Sequence, residues 1–321
     1  MIEDYFYVYA SERLEDGFRY FVIPRRSSEE IEAFLMQLSN DYEVSLKRRY
    51  GELVLEIRRQ RQDYRLNLIL FLATLATTTF FGSMFYEEPS LLGGLAFSGA
   101  LFFVLGSHEL AHYFAARKWG MKTSLPYFIP FPSIIGTLGA VIKYRGAIPN
   151  RKALFDVGIS GPLAGCFASI LVILLGLQLP FEAEGEEKIY IGIPLLFEFL
   201  AKLIAFEGEF IHPVAFAGWV GLFVTFFNLL PVGQLDGGHV LRAIAGERAE
   251  IISKATPFLL MTLSIFFGDL WLFWALILFF FALQKHPKPL VDEGLDGKRI
   301  AVGIFGYLLF FLCFTPEPFR L

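Results

Sequence analysis

Four apolar stretches, at 66–86, 91–117, 154–179 and 213–231, restrict this chain more than any other feature. Each is close to the length, about 20 residues, that a helix needs to cross the hydrocarbon core of a bilayer. A helix pairs its own backbone N–H and C=O groups, which lipid cannot do for it. A fifth stretch, 255–283, is too long for one crossing and is interrupted by Gly268-Asp269, so it is expected to be a tight hairpin of two short helices. A sixth lies at 300–315. Segment 190–211 carries Pro194, Glu198, Lys202, Glu207 and Glu209 and reads as an interfacial or re-entrant helix. Composition agrees: 55% of residues are hydrophobic, 37 are Phe, and only 19% are charged, against roughly 25% in a soluble domain. The expected fold is mainly α, a polytopic membrane helix bundle of about seven spans with a re-entrant β-like segment.

Residues 1–62 are different. "FRYFVIP" (18–24) reads as a strand and "SSEEIEAFLMQLSN" (27–40) as a helix with Ser at its start and acids in its first turn, which suits the helix dipole. "YEVSLKRRYGELVLEIRR" (42–59) reads as two strands, giving a small soluble α+β domain of β-α-β-β order ahead of a transmembrane domain at 63–321. The first residues include Glu3, Asp4, Glu12 and Asp16 and no apolar h-region, so an internal helix is expected to direct insertion. Cys166 and Cys313 both sit in apolar runs and read as packing residues rather than a disulfide. A net charge of −4 implies no general attraction to nucleic acid.

Lys and Arg cluster at 58–65, 117–122, 143–152, 242–254 and 285–299, whereas "YEEPS", "EAEGEEK" and "GD" are acidic. Positive charge collects on the cytoplasmic side. The alternation works with seven crossings of a cell membrane, the N-terminus cytoplasmic and the active site toward the cytoplasm.

"GSHELAHYFAARKWG" (106–120) closes the second apolar stretch. His108 and His112 are four residues apart, so on a helix both imidazoles face one way and can hold one metal ion. Glu109 is offset around the helix, where it can take a proton from a water on that metal. An ionised side chain at membrane depth costs about 2–3 kcal/mol on insertion scales, which argues against an idle glutamate. A catalytic zinc takes three protein ligands and keeps one position open. In "FNLLPVGQLDGGHVL" (227–241), Pro231, Gly233, Gly237 and Gly238 break an apolar helix. Broken backbone at that depth is tolerated only where it lines a cavity. Asp236 inside the break is the expected third ligand, although "DGG" alone would suit a surface turn. Asn228 lies about two helical turns before Asp236 and faces the same way if the helix persists. It is a candidate donor to substrate or to a developing oxyanion. His239 reads either as a group behind a ligand or as a loop residue.

These two motifs, in this order and on separate membrane segments, resemble the site-2 protease family of intramembrane zinc metalloproteases. "MKTSLPYFIPFPSIIGTLGAVIKYRG" (121–146) and the tail at 286–318 are similar to the subgroup containing the plant chloroplast homologues. The resemblance covers roughly 66–318. It implies Zn2+ on His108, His112 and Asp236, with Glu109 as general base. The substrates it implies are membrane-anchored proteins with single-span helices, often transcription or anti-sigma factors. Many members have Asn where this chain has Gly165. No PDZ-like insert is expected in the linker 180–212, and no CBS-like tail after the last helix.

A helical substrate hides its carbonyls and must be extended before hydrolysis. "SIIGTLGAVIKY" (133–144), punctuated by Gly136 and Gly139, reads as a strand or hairpin beside the site. Its edge could hold extended substrate by main-chain hydrogen bonds, or the segment could simply plug the interior. A transporter also uses broken helices and buried carboxylates, but it predicts internal repeats and leaves the paired histidines unexplained. A protein that binds helices without cutting them is the other alternative.

Overall fold

The computed structural model describes residues 2–39, 42–49, 51–59, 64–145, 148–182, 190–284 and 289–320. Parts of the basic clusters, including Arg61, Lys285 and Lys288, and most of the acidic "EAEGEEK" segment lie outside them. In chain order the first elements are β1 (Phe6–Leu14), β2 (Gly17–Pro24), α1 (Ser28–Ser39), β3 (Tyr42–Arg49) and β4 (Glu52–Arg59). Then come α2 (Arg65–Ser83), α3 (Leu91–Lys118), β5 (Lys122–Thr123), β6 (Tyr127–Pro130), β7 (Thr137–Val141), β8 (Tyr144–Arg145) and α4 (Arg151–Gly176). The remainder is β9 (Tyr190–Ile191), α5 (Leu195–Leu203), α6 (Pro213–Asn228), α7 (Asp236–Ala245), a 3-10 turn (Gly246–Arg248), α8 (Ala249–Phe267), α9 (Asp269–Leu283), α10 (Gly297–Cys313) and β10 (Phe319–Arg320).

The chain divides into two compact units. The smaller contains Met1–Tyr64 with Met121–Ser124 and Tyr144–Ala147, the segments of the β5/β8 pair. Its main sheet is antiparallel in the order β1-β2-β4-β3. One face buries Phe6, Val22, Leu55 and Ile57 against Ile31, Phe34 and Leu38 of α1. The helix starts with a reciprocal cap. The Ser27 hydroxyl accepts from the Glu30 amide, and the Glu30 carboxylate accepts from the Ser27 amide. The sheet carries one strand more than the expected β-α-β-β order. β1 is an edge strand whose residues from Tyr9 to Arg13 are all exposed, so its hydrophobic alternation stops after Val8.

On this sheet Glu56 is nearly buried and accepts from Arg19 Nε at 2.8 Å and Arg58 Nη2 at 3.2 Å. The Arg19 hydrogen bond, aided by Arg58, holds its carboxyl below the ordinary carboxylate range. A carboxyl depressed on folding contributes stability above its unfolded pKa, about 4.3, and loses it as pH falls through the folded value. Protection of β2 and β4 amides in the full chain, corrected for intrinsic exchange, is therefore expected to drop below about pH 4. In Glu56→Gln it should already be lower at pH 7 and should vary less over that acid range. Hydrogen exchange read by mass spectrometry checks both.

In the larger unit, helices long and apolar enough to cross a membrane are, among the described residues, α2, α3, α4 and the run Asp236–Phe267 through α7 and α8. The apolar helices α6 and α9 are shorter. α8 and α9 form a hairpin, because Gly268 at φ +94° ends one helix and Asp269 starts the next. The short amphipathic α5 occupies the segment read as interfacial. α4 is the most enclosed long helix and packs against α3, α6 and α7. Asn150 Oδ1 caps it by accepting from Ala153 N at 2.9 Å. Asp156 binds the ends of three helices together. It accepts from Trp119 at 3.1 Å and from Arg299 Nε and Nη2, both at 2.7 Å. β6 and β7 form an antiparallel hairpin, with Tyr127 opposite Val141 and Pro130 opposite Thr137.

Candidate active site

α3 delivers two imidazoles to one point. His108, Glu109 and His112 are all buried, with His108 and His112 on the face turned toward α4. The seat is carved from glycine: a Cβ on Gly161 would stand 2.1 Å from His112 Nε2, and one on Gly165 would stand 3.0 Å from His108 Nδ1. The hydrogen on His112 Nδ1 is donated to the Val157 carbonyl at 2.8 Å. That bond fixes the tautomer and turns the Nε2 lone pair inward.

Asp236 reaches the same point from the other side. α6 ends at Asn228, and the chain turns through Pro231 and Gly233 (φ +43°) before α7 begins at Asp236. The turn is tight because Gly237 lets the Leu229 carbonyl approach where a Cβ would clash at 2.1 Å. It is pinned by Gly233 N donating to Ser253 Oγ at 2.8 Å and by Tyr307 donating to the Gly237 carbonyl at 3.0 Å. The helix therefore does not persist from Asn228 to Asp236, and the periodicity expected to align them does not apply. The turn nevertheless brings both to His108, with Asn228 Nδ2 3.2 Å from His108 Nε2.

Asp236 Oδ2 lies 3.2 Å from each of His108 Nε2 and His112 Nε2, and the two nitrogens are 3.1 Å apart. Zinc binds His nitrogen and carboxylate oxygen at about 2.0–2.2 Å. In a tetrahedron each edge is about 1.6 times the bond length, so neighbouring donors should be about 3.3 Å apart. The observed triangle fits one face of such a shell. A lone-pair nitrogen facing a carboxylate oxygen at this distance is repulsive unless a cation or proton lies between them. These three residues are the group able to hold a metal among the described residues.

Glu109 stands beside the triangle. The backbone of Ile142, one residue past β7, lies near its carboxylate. Gly139 has φ +101° and open space where a side chain would be, and its amide and carbonyl are both held by the Thr137 hydroxyl, at 3.0 and 3.2 Å. Gly136 has another role. A Cβ there would stand 2.7 Å from the Thr78 Cα, and its carbonyl accepts from Thr77 Oγ1 at 2.7 Å, so it is committed to α2. His239 packs on α4 opposite Gly158 and is outside the three-residue group. The sequence reading missed Gly161 as the seat of His112, although Gly158, Gly161 and Gly165 are spaced to line one helical face. The Val157 carbonyl left no side-chain signal to find.

A membrane-embedded His-Glu-x-x-His helix with a remote aspartate defines a class of protein: a model described as Peptidase family M50 matches residues 96–268, more than half of the chain. The chain belongs to this family, the site-2 proteases, and is a membrane protein. It is 32% identical over 238 residues to the probable zinc metalloprotease EGY2, chloroplastic, of Arabidopsis thaliana, covering 67% of this chain and 40% of that protein. It is 34% identical over 202 residues to the probable zinc metalloprotease EGY1, chloroplastic, of Oryza sativa subsp. japonica, covering 59% and 34%. The chain thus spans about two fifths or less of the length of these curated relatives. No solved structure matches it.

Proposed function

We propose that this protein is an intramembrane zinc metalloprotease that hydrolyses peptide bonds in or near the transmembrane segments of membrane-anchored proteins. The observation that carries this reading is the triangle of His108 Nε2, His112 Nε2 and Asp236 Oδ2, with edges of 3.1, 3.2 and 3.2 Å, on the matched part of the chain. His108, His112 and Asp236 hold the ion. Zinc bound there supplies Lewis acidity and brings the pKa of a bound water to about 7. Glu109 takes the proton of the attacking water and passes it to the leaving amine. Asn228, whose amide lies beside His108, donates to the carbonyl oxygen as negative charge develops. The edge of β7 away from β6 pairs with substrate drawn out into an extended strand, which takes the place of the Thr137 hydroxyl on the Gly139 main chain.

Lys and Arg placement supports seven crossings, with the N-terminus and active site toward the cytoplasmic face of a cell membrane. The relatives are named as chloroplastic proteins. Residues 1–62 form a soluble domain, and 63–321 the protease domain. A transporter leaves the zinc-sized triangle without a task.

The test uses the purified chain in lipid, wild type against His108→Ala and Asp236→Ala. Wild type is expected to hold about one zinc and to cleave a single-span test helix. Each variant should lose metal affinity by at least about 100-fold, the upper end for groups merely supporting a ligand, and lose cleavage with it. Undiminished zinc in Asp236→Ala sinks the ligand assignment.

A further inference from the structure

The mechanism assigns no role to α2, yet this lipid-facing helix carries Asn67, Thr74, Thr77, Thr78 and Thr79 among apolar residues. Their partners explain why. Asn67 is buried, and its side-chain amide donates to two successive main-chain carbonyls, Leu125 and Pro126, each at 3.0 Å. Those carbonyls stand at the entrance to β6. Ten residues further along α2, roughly 15 Å at 1.5 Å per residue, Thr77 donates to the Gly136 carbonyl at 2.7 Å, in the turn between β6 and β7. Between them Phe128 of β6 meets Phe71 of α2 and Phe102 of α3, with ring centroids at 5.8 and 4.7 Å. Thr78 is joined to Ser98 of α3 at 2.5 Å. The hairpin is thus held at its mouth, its middle and its tip by a helix that is itself tied to the metal-bearing helix.

We propose that Asn67 and Thr77 are positioning residues that set which peptide bond of an extended substrate lies at Glu109. This rests on the proteolytic reading above. A substrate strand paired to β7 takes its register from β7, and a slip of one residue turns every side chain to the opposite face and presents a different bond. β7 in turn takes its position from β6 and the Gly136 turn. Loosening either hydrogen bond lets the hairpin slide relative to Glu109 without touching a metal ligand. The moorings act on the main chain of the hairpin, so they set register for any substrate sequence rather than recognising one.

The test compares wild type, Thr77→Val, Thr77→Ser, Asn67→Leu and the Asn67→Leu/Thr77→Val double variant, as full chains in lipid, on one single-span test helix. Valine keeps the shape of threonine and puts a methyl where the hydroxyl stood, so the hydrogen bond is lost without opening a cavity. Product termini are read by intact mass, kcat and KM by initial rates, zinc by metal analysis, and amide exchange on hairpin peptides. The double variant is expected to hold wild-type zinc and to raise KM about tenfold. It should yield extra products shifted by one or two residues, with faster exchange across 127–141. Thr77→Ser should restore the single product. One wild-type product with KM within twofold overturns the proposal, as does cleavage lost only in step with zinc. Unchanged hairpin exchange overturns it independently of catalysis. If wild type itself leaves the helix uncut while holding zinc, the proteolytic reading fails first and this inference falls with it.

Discussion

Gly161→Ala is expected to abolish both zinc binding and cleavage, although it alters none of the proposed ligands. The added methyl would stand 2.1 Å from His112 Nε2 and 2.5 Å from its Cε1, far inside the 3.5–4.0 Å of an ordinary carbon contact. The ring has no easy retreat. It is buried between α3 and α4, and its Nδ1 is already engaged with Val157 on the same helix as the intruding methyl. Relief requires either α3 and α4 to separate or the imidazole to swing off the triangle. Helix propensity runs the opposite way, since alanine in a helix interior is favoured over glycine by about 1 kcal/mol. Overpacking costs about 1–3 kcal/mol, so the fold should survive while the site does not. Zinc affinity is expected to fall at least about 100-fold. Gly165→Ala, whose methyl would meet His108 Nδ1 at 3.0 Å, should weaken zinc much less, because a shift of a few tenths of an ångström relieves it. Gly99→Ala, with open space at that position, is the control that should keep both metal and activity. Metal analysis with a cleavage assay on the three variants decides the order.

That contrast bears on what the sequence makes legible. His108, Glu109 and His112 stand out because the i, i+4 rule is local and polar groups in an apolar helix are costly. Asp236 stands out because Pro231 and three glycines break a helix where a break needs a reason. The Gly268-Asp269 hairpin stands out likewise. What stays hidden is set by partners far away in the chain. Gly161 matters because of a ring 49 positions earlier, Gly136 because of Thr77, and Asn67 because of carbonyls at 125 and 126. Gly136 and Gly139 look equivalent in sequence, both glycines in one β-rich stretch. The structure separates them, one pressed on α2 and one open. β1 is missed for a different reason, as an edge strand with little to bury loses the alternation that marks a strand. The spacing from Asn228 to Asp236 misleads because it assumes an unbroken helix across the residues that break it.

Glu109→Gln is expected to separate metal binding from chemistry. Glutamine has the shape of glutamate and can occupy the same place beside the triangle, but it cannot take a proton. None of the three triangle atoms belongs to residue 109, so zinc content should match wild type. Loss of general base catalysis costs about 10²–10⁴-fold in rate, so kcat should fall by that factor while KM for the test helix stays within about threefold, because the β7 edge proposed to hold the substrate is unaltered. An uncut substrate retained on the zinc-loaded variant, captured by cross-linking to the hairpin, would mark a stalled enzyme rather than a damaged one. A transporter gives another pattern: flux that needs no zinc and no change in a substrate helix. A protein that binds helices without cutting them gives a third, with wild type and variant retaining the same helix equally and neither shortening it. Wild-type cleavage in zinc-replete Glu109→Gln would overturn the assignment of Glu109 as general base, since among the described residues the other carboxylate of the site is that of the proposed ligand Asp236.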